Sequence, residues 1–108
     1  MAYSFQTPEK IFFAMEFMRG GELFQHLKIS RRFSERRTKF YTACICLGLG
    51  FLHSKGIAYR DLKPENVLMD INGYVNLADF GMAKFMKSEE EEVSLCGTPE
   101  YLGYLSFS

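Results

Sequence analysis

The sequence predicts a small α+β fold, and three observations predict it. Lys10–Met18 (KIFFAMEFM) is an almost unbroken apolar run, expected to form a strand covered on both faces. Residues 34–54 repeat their apolar side chains at helical spacing. Asn66–Met69 and Tyr74–Leu77 are short apolar pieces joined by Asp70-Ile71-Asn72-Gly73, and Asn-Gly between such runs predicts a hairpin. The chain shows no repeat, low-complexity tract or linker, so residues 1–108 are expected to act as one structural unit.

Each element follows in order from local chemistry. Gly20-Gly21 ends the first strand, and Glu22–Lys28 predicts a short helix with Glu22 favourable in its first turn. Ser34 is the expected N-cap of the long helix, whose stripe is Phe40, Cys44, Leu47 and Phe51, widened by Tyr41, Ile45 and Leu52. Gly48 and Gly50 each cost that helix up to ~1 kcal/mol relative to Ala, so close packing is expected at both. Lys55-Gly56 supplies the stop.

Composition excludes several functions. The chain has 108 residues, 47% hydrophobic and 24% charged, which is ordinary for a globular protein and unlike a disordered one. Thirteen basic residues balance thirteen acidic ones, which argues against a general nucleic-acid binder. No apolar run approaches the ~18–20 residues of a membrane span, so no membrane insertion is expected. Cys44, Cys46 and Cys96 are odd in number and not framed as a disulfide scaffold, so a reducing compartment, the cytoplasm or the nucleus, is expected. The neutral sum conceals a split. Basic residues gather at Arg31, Arg32, Arg36, Arg37 and Lys39, acidic ones at Glu89–Glu92, and each run is expected to be a solvated face.

Three metal readings fail on spacing. Asp70, Asn72 and Asn76 look like a calcium loop, but Gly73 is its fourth residue rather than its sixth, and no glutamate stands at the twelfth. Cys44 and Cys46 point apart on a helix. His26 and His53 complete no ligand set and are expected to be one surface and one packed histidine.

The chemistry concentrates in Tyr59-Arg60-Asp61-Leu62-Lys63-Pro64-Glu65-Asn66 and in Ala78-Asp79-Phe80-Gly81 beyond the hairpin. Asp61 and Lys63 flank a single residue, so a proton acceptor and a cation can face one point. Asn66 and Asp79 offer hard oxygens at the two ends of the hairpin strands, which suits Mg²⁺ holding a polyphosphate. Gly81 frees the backbone to turn after Asp79.

These strings resemble the catalytic loop and the Asp-Phe-Gly motif of eukaryotic protein kinases. Ala14-Met15-Glu16-Phe17-Met18 resembles the kinase hinge, Gly20-Gly21-Glu22-Leu23 the turn after it, and Cys96-Gly97-Thr98-Pro99-Glu100-Tyr101-Leu102 the end of the activation segment. Tyr59 before Arg60-Asp61, with the Cys-Gly-Thr-Pro-Glu-Tyr string, is similar to the AGC group of serine/threonine kinases.

The resemblance implies ATP and Mg²⁺ as cofactors and transfer of the γ-phosphate to Ser/Thr of protein substrates. It implies that Asp61 accepts the substrate hydroxyl proton, Lys63 neutralises the phosphoryl group, and Asn66 and Asp79 hold Mg²⁺. Met15 becomes the gatekeeper, the backbone of Glu16 and Met18 binds the adenine edge, and Leu68 lies beneath the base. Glu22 and Glu65, grouped with this nucleotide side, match AGC positions that face basic residues upstream of the target. Ser94 matches the activation-loop phosphosite of an upstream activating kinase, with Arg60 and Lys84 placed to pair with its phosphate.

Departures from the pattern are equally informative. The sequence holds no Gly-x-Gly-x-x-Gly loop and no Val-Ala-Ile-Lys lysine, and Gly103-Tyr104-Leu105 stands where the family continues Ala-Pro-Glu. The resemblance therefore implies a partial kinase-like fold: hinge strand, C-lobe helices, catalytic-loop hairpin and activation segment, with most of the N-lobe and the late C-lobe missing. This 108-residue chain alone is expected to be inactive and loosely packed, with Leu47, Phe51, Leu62 and Val67 partly exposed. The alternative function is a non-catalytic binding or decoy module.

Overall fold

The structure is a computed structural model that describes residues 3–86 and 97–101. Its elements run β1 (Tyr3–Gln6), β2 (Ile11–Ala14), β3 (Gly21–Glu22), α1 (Leu23–Ser30), α2 (Glu35–Ser54), β4 (Ile57–Ala58), β5 (Val67–Met69), β6 (Val75–Leu77) and β7 (Lys84–Phe85), with 3₁₀ turns at Pro64–Asn66 and Pro99–Tyr101. All strand pairs are antiparallel: β1 with β2, β4 with β7, and a three-stranded sheet in the order β3-β5-β6.

Helix α2 begins where its cap predicts. Ser34 is extended and its side chain accepts the Arg37 N–H at 3.4 Å, while the Ser34 carbonyl takes the Thr38 N–H at 2.9 Å. Such a cap contributes about 0.5–2 kcal/mol, and this long bond belongs at the lower end. The helix ends at Lys55, and Gly56 takes a positive φ of 68° while donating to the His53 carbonyl. Glu22 is the N-cap of α1 rather than a first-turn residue, because its backbone is drawn into the β3–β5 ladder opposite Leu68.

The predicted hairpin forms with each strand one residue shorter and the connection one residue longer than expected, with Val67 opposite Leu77 and Met69 opposite Val75. Asp70 builds the turn: its Oδ1 accepts the N–H groups of Asn72 at 2.8 Å and Tyr74 at 2.9 Å. Gly73 supplies the left-handed residue there, with φ 87°.

The core is small and sits where α1 and the first half of α2 cover β5 and β6. Leu23, Tyr41, Val67, Met69 and Val75 are buried together, with Phe33, Cys44, Ile45 and Leu77 packed against them. The expectation for Val67 is overturned: it is the most enclosed side chain described, at 1% exposure. β5 is the central strand of its sheet, so Val67 is shielded by this chain's own helices. Leu47 at 76%, Phe51 at 63% and Leu62 at 39% exposure are open as expected. Leu47 and Phe51 line an apolar groove of about 570 Å³ between α2 and β6, which Phe80 also borders.

Two further expectations are corrected. β2 is not covered on both faces: Ile11, Phe12 and Phe13 are exposed, because among the described residues the strand is held by β1 alone and a stack of Phe5 on Phe12 at 4.9 Å. The missing side chains of the helical glycines also differ. A Cβ at Gly48 would touch Leu77 at 3.4 Å, whereas one at Gly50 would meet open space, so packing accounts for the first glycine only. Gly20 is the glycine that close approach demands, since a Cβ there would fall 2.7 Å from Cβ and O of Met69.

Candidate functional site

The loop from Tyr59 to Asn66 leaves α2 through β4 and enters β5, so two rigid elements hold its ends. Buried Tyr59 anchors it, donating its hydroxyl to the Ala78 carbonyl and setting its ring edge-on to Phe80 at 5.4 Å. Burial, reinforced by the charges of Asp61 and Asp79, pushes the Tyr59 phenol up to about 12. Its unfolded value is near 10, so the unfolded chain loses this proton first and stability falls as pH rises from about 10 to 12. Tyr59→Phe is expected to flatten that alkaline loss in a pH series of denaturant melts. An unchanged slope between the two proteins would sink the assignment.

Asp61 is buried at the centre of a hydrogen-bonded cluster. Lys63 Nζ lies 3.0 Å from its Oδ2, Asn66 Nδ2 donates to the same oxygen at 2.8 Å, and Thr98 Oγ1 donates to Oδ1 at 2.9 Å. Asn66 Nδ2 also donates to the Asp61 carbonyl at 2.9 Å. Lys63 Nζ completes a ring by donating to Thr98 Oγ1 at 3.1 Å. The Lys63 hydrogen bond, followed by those from Thr98 and Asn66, holds the Asp61 carboxyl below its ordinary value against the opposing effect of burial. The same bond to Asp61 raises the Lys63 ammonium. Both groups are therefore charged throughout the neutral range.

The sequence reading missed Thr98 as a member of this cluster. Its signal was the Cys-Gly-Thr-Pro-Glu string, but nothing in the spacing links residue 98 to residue 61.

Backbone pairing brings the second half of the site alongside. Ala78 N donates to the Asn66 carbonyl at 2.8 Å, which extends the β5–β6 register by one pair and sets Asp79 next after the residue opposite Asn66. Asp79 adopts a positive φ of 54°, and its Oδ1 accepts the Gly81 N–H at 3.0 Å. Arg60 is likewise left-handed at φ 66°, with its Nε donating to the Met82 carbonyl at 2.8 Å. Non-glycine residues in this region carry backbone strain, which concentrates at functional loops.

The donor chemistry fits Mg²⁺. Both Asn66 hydrogen bonds engage its amide nitrogen, so Oδ1 is the atom it can offer a cation, and Asp79 retains Oδ2. Two protein oxygens with phosphate and water completing the shell is the usual magnesium pattern. No group of three His, Cys, Asp or Glu side chains that could hold a metal occurs among the described residues.

Met15, Glu16 and Met18 lie on the strand-to-strand connection between β2 and β3; the first two are exposed and Met18 is half-buried. Gly21 N donates to the Met18 carbonyl at 3.1 Å, and Gly20 N to the Met69 carbonyl at 2.9 Å, so this connection is tied to β5. Leu68 and Glu22 face each other in the ladder, on the side of β5 opposite buried Val67 and Met69. His26 braces the same corner with a ring nitrogen 2.7 Å from the Gly20 carbonyl, while His53 is exposed. Glu65 sits in the 3₁₀ turn with its Oε2 buried and without a hydrogen-bond partner. Lys84 lies exposed in β7. Ser94, Cys96 and the acidic run Glu89–Glu92 lie outside the described residues.

The site is thus a loop-borne carboxylate locked to an ammonium, beside two hard oxygen donors. The protein kinase domain family matches residues 1–103, and the chain belongs to that family. It is 55% identical over 103 residues to serine/threonine-protein kinase Sgk2 of Mus musculus, covering 94% of this chain and 28% of that protein. It is 52% identical over 101 residues to serine/threonine-protein kinase sgk-1 of Caenorhabditis elegans, covering 93% and 22%. Against serine/threonine-protein kinase YPK1 of Saccharomyces cerevisiae it is 48% identical over 103 residues, covering 94% and 15%. The chain thus spans under a third of the length of these relatives, which are all serine/threonine kinases.

Proposed function

We propose that residues 1–108 form part of one serine/threonine kinase domain and supply its catalytic loop, magnesium ligands and part of its nucleotide seat. The observation that carries this reading is the Asp61 cluster, in which one carboxylate is fixed by Lys63, Asn66 and Thr98 together. Asp61 Oδ atoms accept the hydrogen of the substrate hydroxyl, and Lys63 offsets negative charge on the transferring group. Asn66 and Asp79 hold Mg²⁺, which neutralises ATP phosphates when bound. Met15, Glu16, Met18 and Leu68 line the base side. Ser94 receives the phosphate of an upstream kinase, within reach of Arg60 and Lys84. The cytoplasm or nucleus is the setting this chemistry suits. Without a glycine-rich phosphate loop in its sequence, the 108-residue chain on its own transfers no phosphate.

Substrate choice rests on Glu65. A carboxylate oxygen that is buried and unpartnered is costly unless a cation arrives to meet it, which favours a peptide with arginine before the target Ser. The test compares phosphorylation of an Arg-containing Ser peptide with its Arg→Ala counterpart. It uses the longest polypeptide in which source cells carry these residues. Glu65→Gln is expected to raise KM for the Arg peptide about tenfold or more and leave the Ala peptide unchanged. An equal loss on both peptides would contradict the assignment.

A further inference from the structure

The turn between α1 and α2 carries a concentration of positive charge that the Asp61 cluster does not use. Between residues 31 and 39 stand Arg31, Arg32, Arg36, Arg37 and Lys39, against the single carboxylate of Glu35. All five cations are exposed. Glu35 is already engaged by Lys39 at 2.6 Å. Among the described residues, ion pairs join Lys39 to Glu35 and Lys63 to Asp61, and neither touches the four arginines.

One of these arginines is also held in place. The Arg37 guanidinium lies 4.8 Å from the centroid of the Phe33 ring and 5.7 Å from that of Tyr41, and its Nη2 donates to the Tyr41 hydroxyl at 3.1 Å. A guanidinium stacked on rings keeps its charge, and its remaining N–H donors stay in a fixed fork. Phe33 and Tyr41 pack edge-on at 5.3 Å against the buried core, so the platform is rigid.

We propose that this surface docks a carboxylate-rich segment of a partner protein. Planar guanidinium forks match carboxylates two bonds at a time, and one pre-positioned arginine reduces the ordering cost of the encounter. An anionic membrane is the less suitable partner. Membrane-surface helices pair their cations with a broad apolar face, and the large apolar side chains exposed beside these cations are two, Ile29 before them and Phe40 after them. The surface lies at the N-terminal end of α2, whereas Leu62 and Lys63 of the Asp61 loop share a pocket with Ile45, about 15 Å further along that helix, and none of the five cations lines that pocket.

The test measures fluorescence anisotropy of a fluorescein-labelled peptide of alternating Glu and Asp, titrated at low and at physiological salt with the longest polypeptide in which source cells carry these residues. Two charge-matched variants separate a specific surface from net charge: Arg31→Glu with Arg36→Glu, and Lys10→Glu with Lys55→Glu. The arginine pair is expected to weaken binding by at least about tenfold, the lysine pair by less than about threefold. Binding should also fall as salt rises. Circular dichroism checks that α2 remains formed, and Arg31→Gln with Arg36→Gln gives the same ordering if charge reversal unfolds the helix. Equal losses in the two pairs, no binding of the peptide, or tight binding to phosphatidylserine vesicles with none to the peptide would each overturn the proposal.

Discussion

Replacing Asp61 with Asn is expected to lower kcat for phosphoryl transfer by about 10²–10⁴-fold, with little change in KM for ATP. The substitution keeps the shape, and its single oxygen can still accept from either Asn66 or Thr98, so the fold should survive. What it removes is the anion that accepts a proton and pairs with Lys63. The assay is single-turnover transfer to the Arg-containing peptide by the full natural polypeptide. A kcat within about threefold of the parent would remove Asp61 from the chemistry. The same variant has a thermodynamic signature. The folded Asp61 carboxyl titrates below its ordinary value of 3.8, so it contributes stability above that value, and this is lost as pH falls through the folded value. Asp61→Asn should therefore show a shallower acid loss of stability than the parent protein.

Val67→Asp is expected to unfold the domain. A carboxylate placed at a site with 1% exposure, among Leu23, Tyr41, Met69 and Val75, finds no partner. Its burial costs several kcal/mol, comparable with the whole stability of a small domain. Leu47→Asp introduces the same group on α2 at a side chain 76% exposed and should change the unfolding free energy by no more than a surface substitution does, about 0.5 kcal/mol. Chemical denaturation followed by helical circular dichroism distinguishes the two. A folded Val67→Asp protein would mean that the core lies elsewhere.

That contrast shows what was legible in the sequence. Local chemistry located α2 closely, because Ser34 and Gly56 mark its ends by capping and by a left-handed turn. The Asp70–Gly73 turn was equally readable, since an Asp side chain and a glycine build it without outside help. Asp61, Lys63, Asn66 and Asp79 were found as a string, and their convergence follows from the hairpin register. Burial was less readable. The sequence pattern leaves Val67 partly exposed, because its cover comes from β5 being central in a sheet whose third strand, Gly21–Glu22, is too short to show a period. β2 erred the other way, since an apolar run reports that a strand is made for cover and not that cover is present. Thr98 was invisible for a simpler reason: a contact across 37 positions leaves no trace in spacing.

The bond from Thr98 to Asp61 closes a long loop, and its neighbour from Lys63 closes one only two residues shorter. Side-chain hydrogen bonds of this kind are modest individually, and the chain between their ends must give up conformational freedom to make them. Among the described residues the buried core contains none beyond Val75, and Leu77 is the last to pack against it. The framework and the finished reactive cluster are therefore separable properties of the same polypeptide. Thr98→Val would remove that closure and leave the core untouched. Asp61 would keep Lys63 and Asn66 but lose its third donor. Such a variant should melt like the parent while its amides around residues 97–101 exchange with solvent far faster.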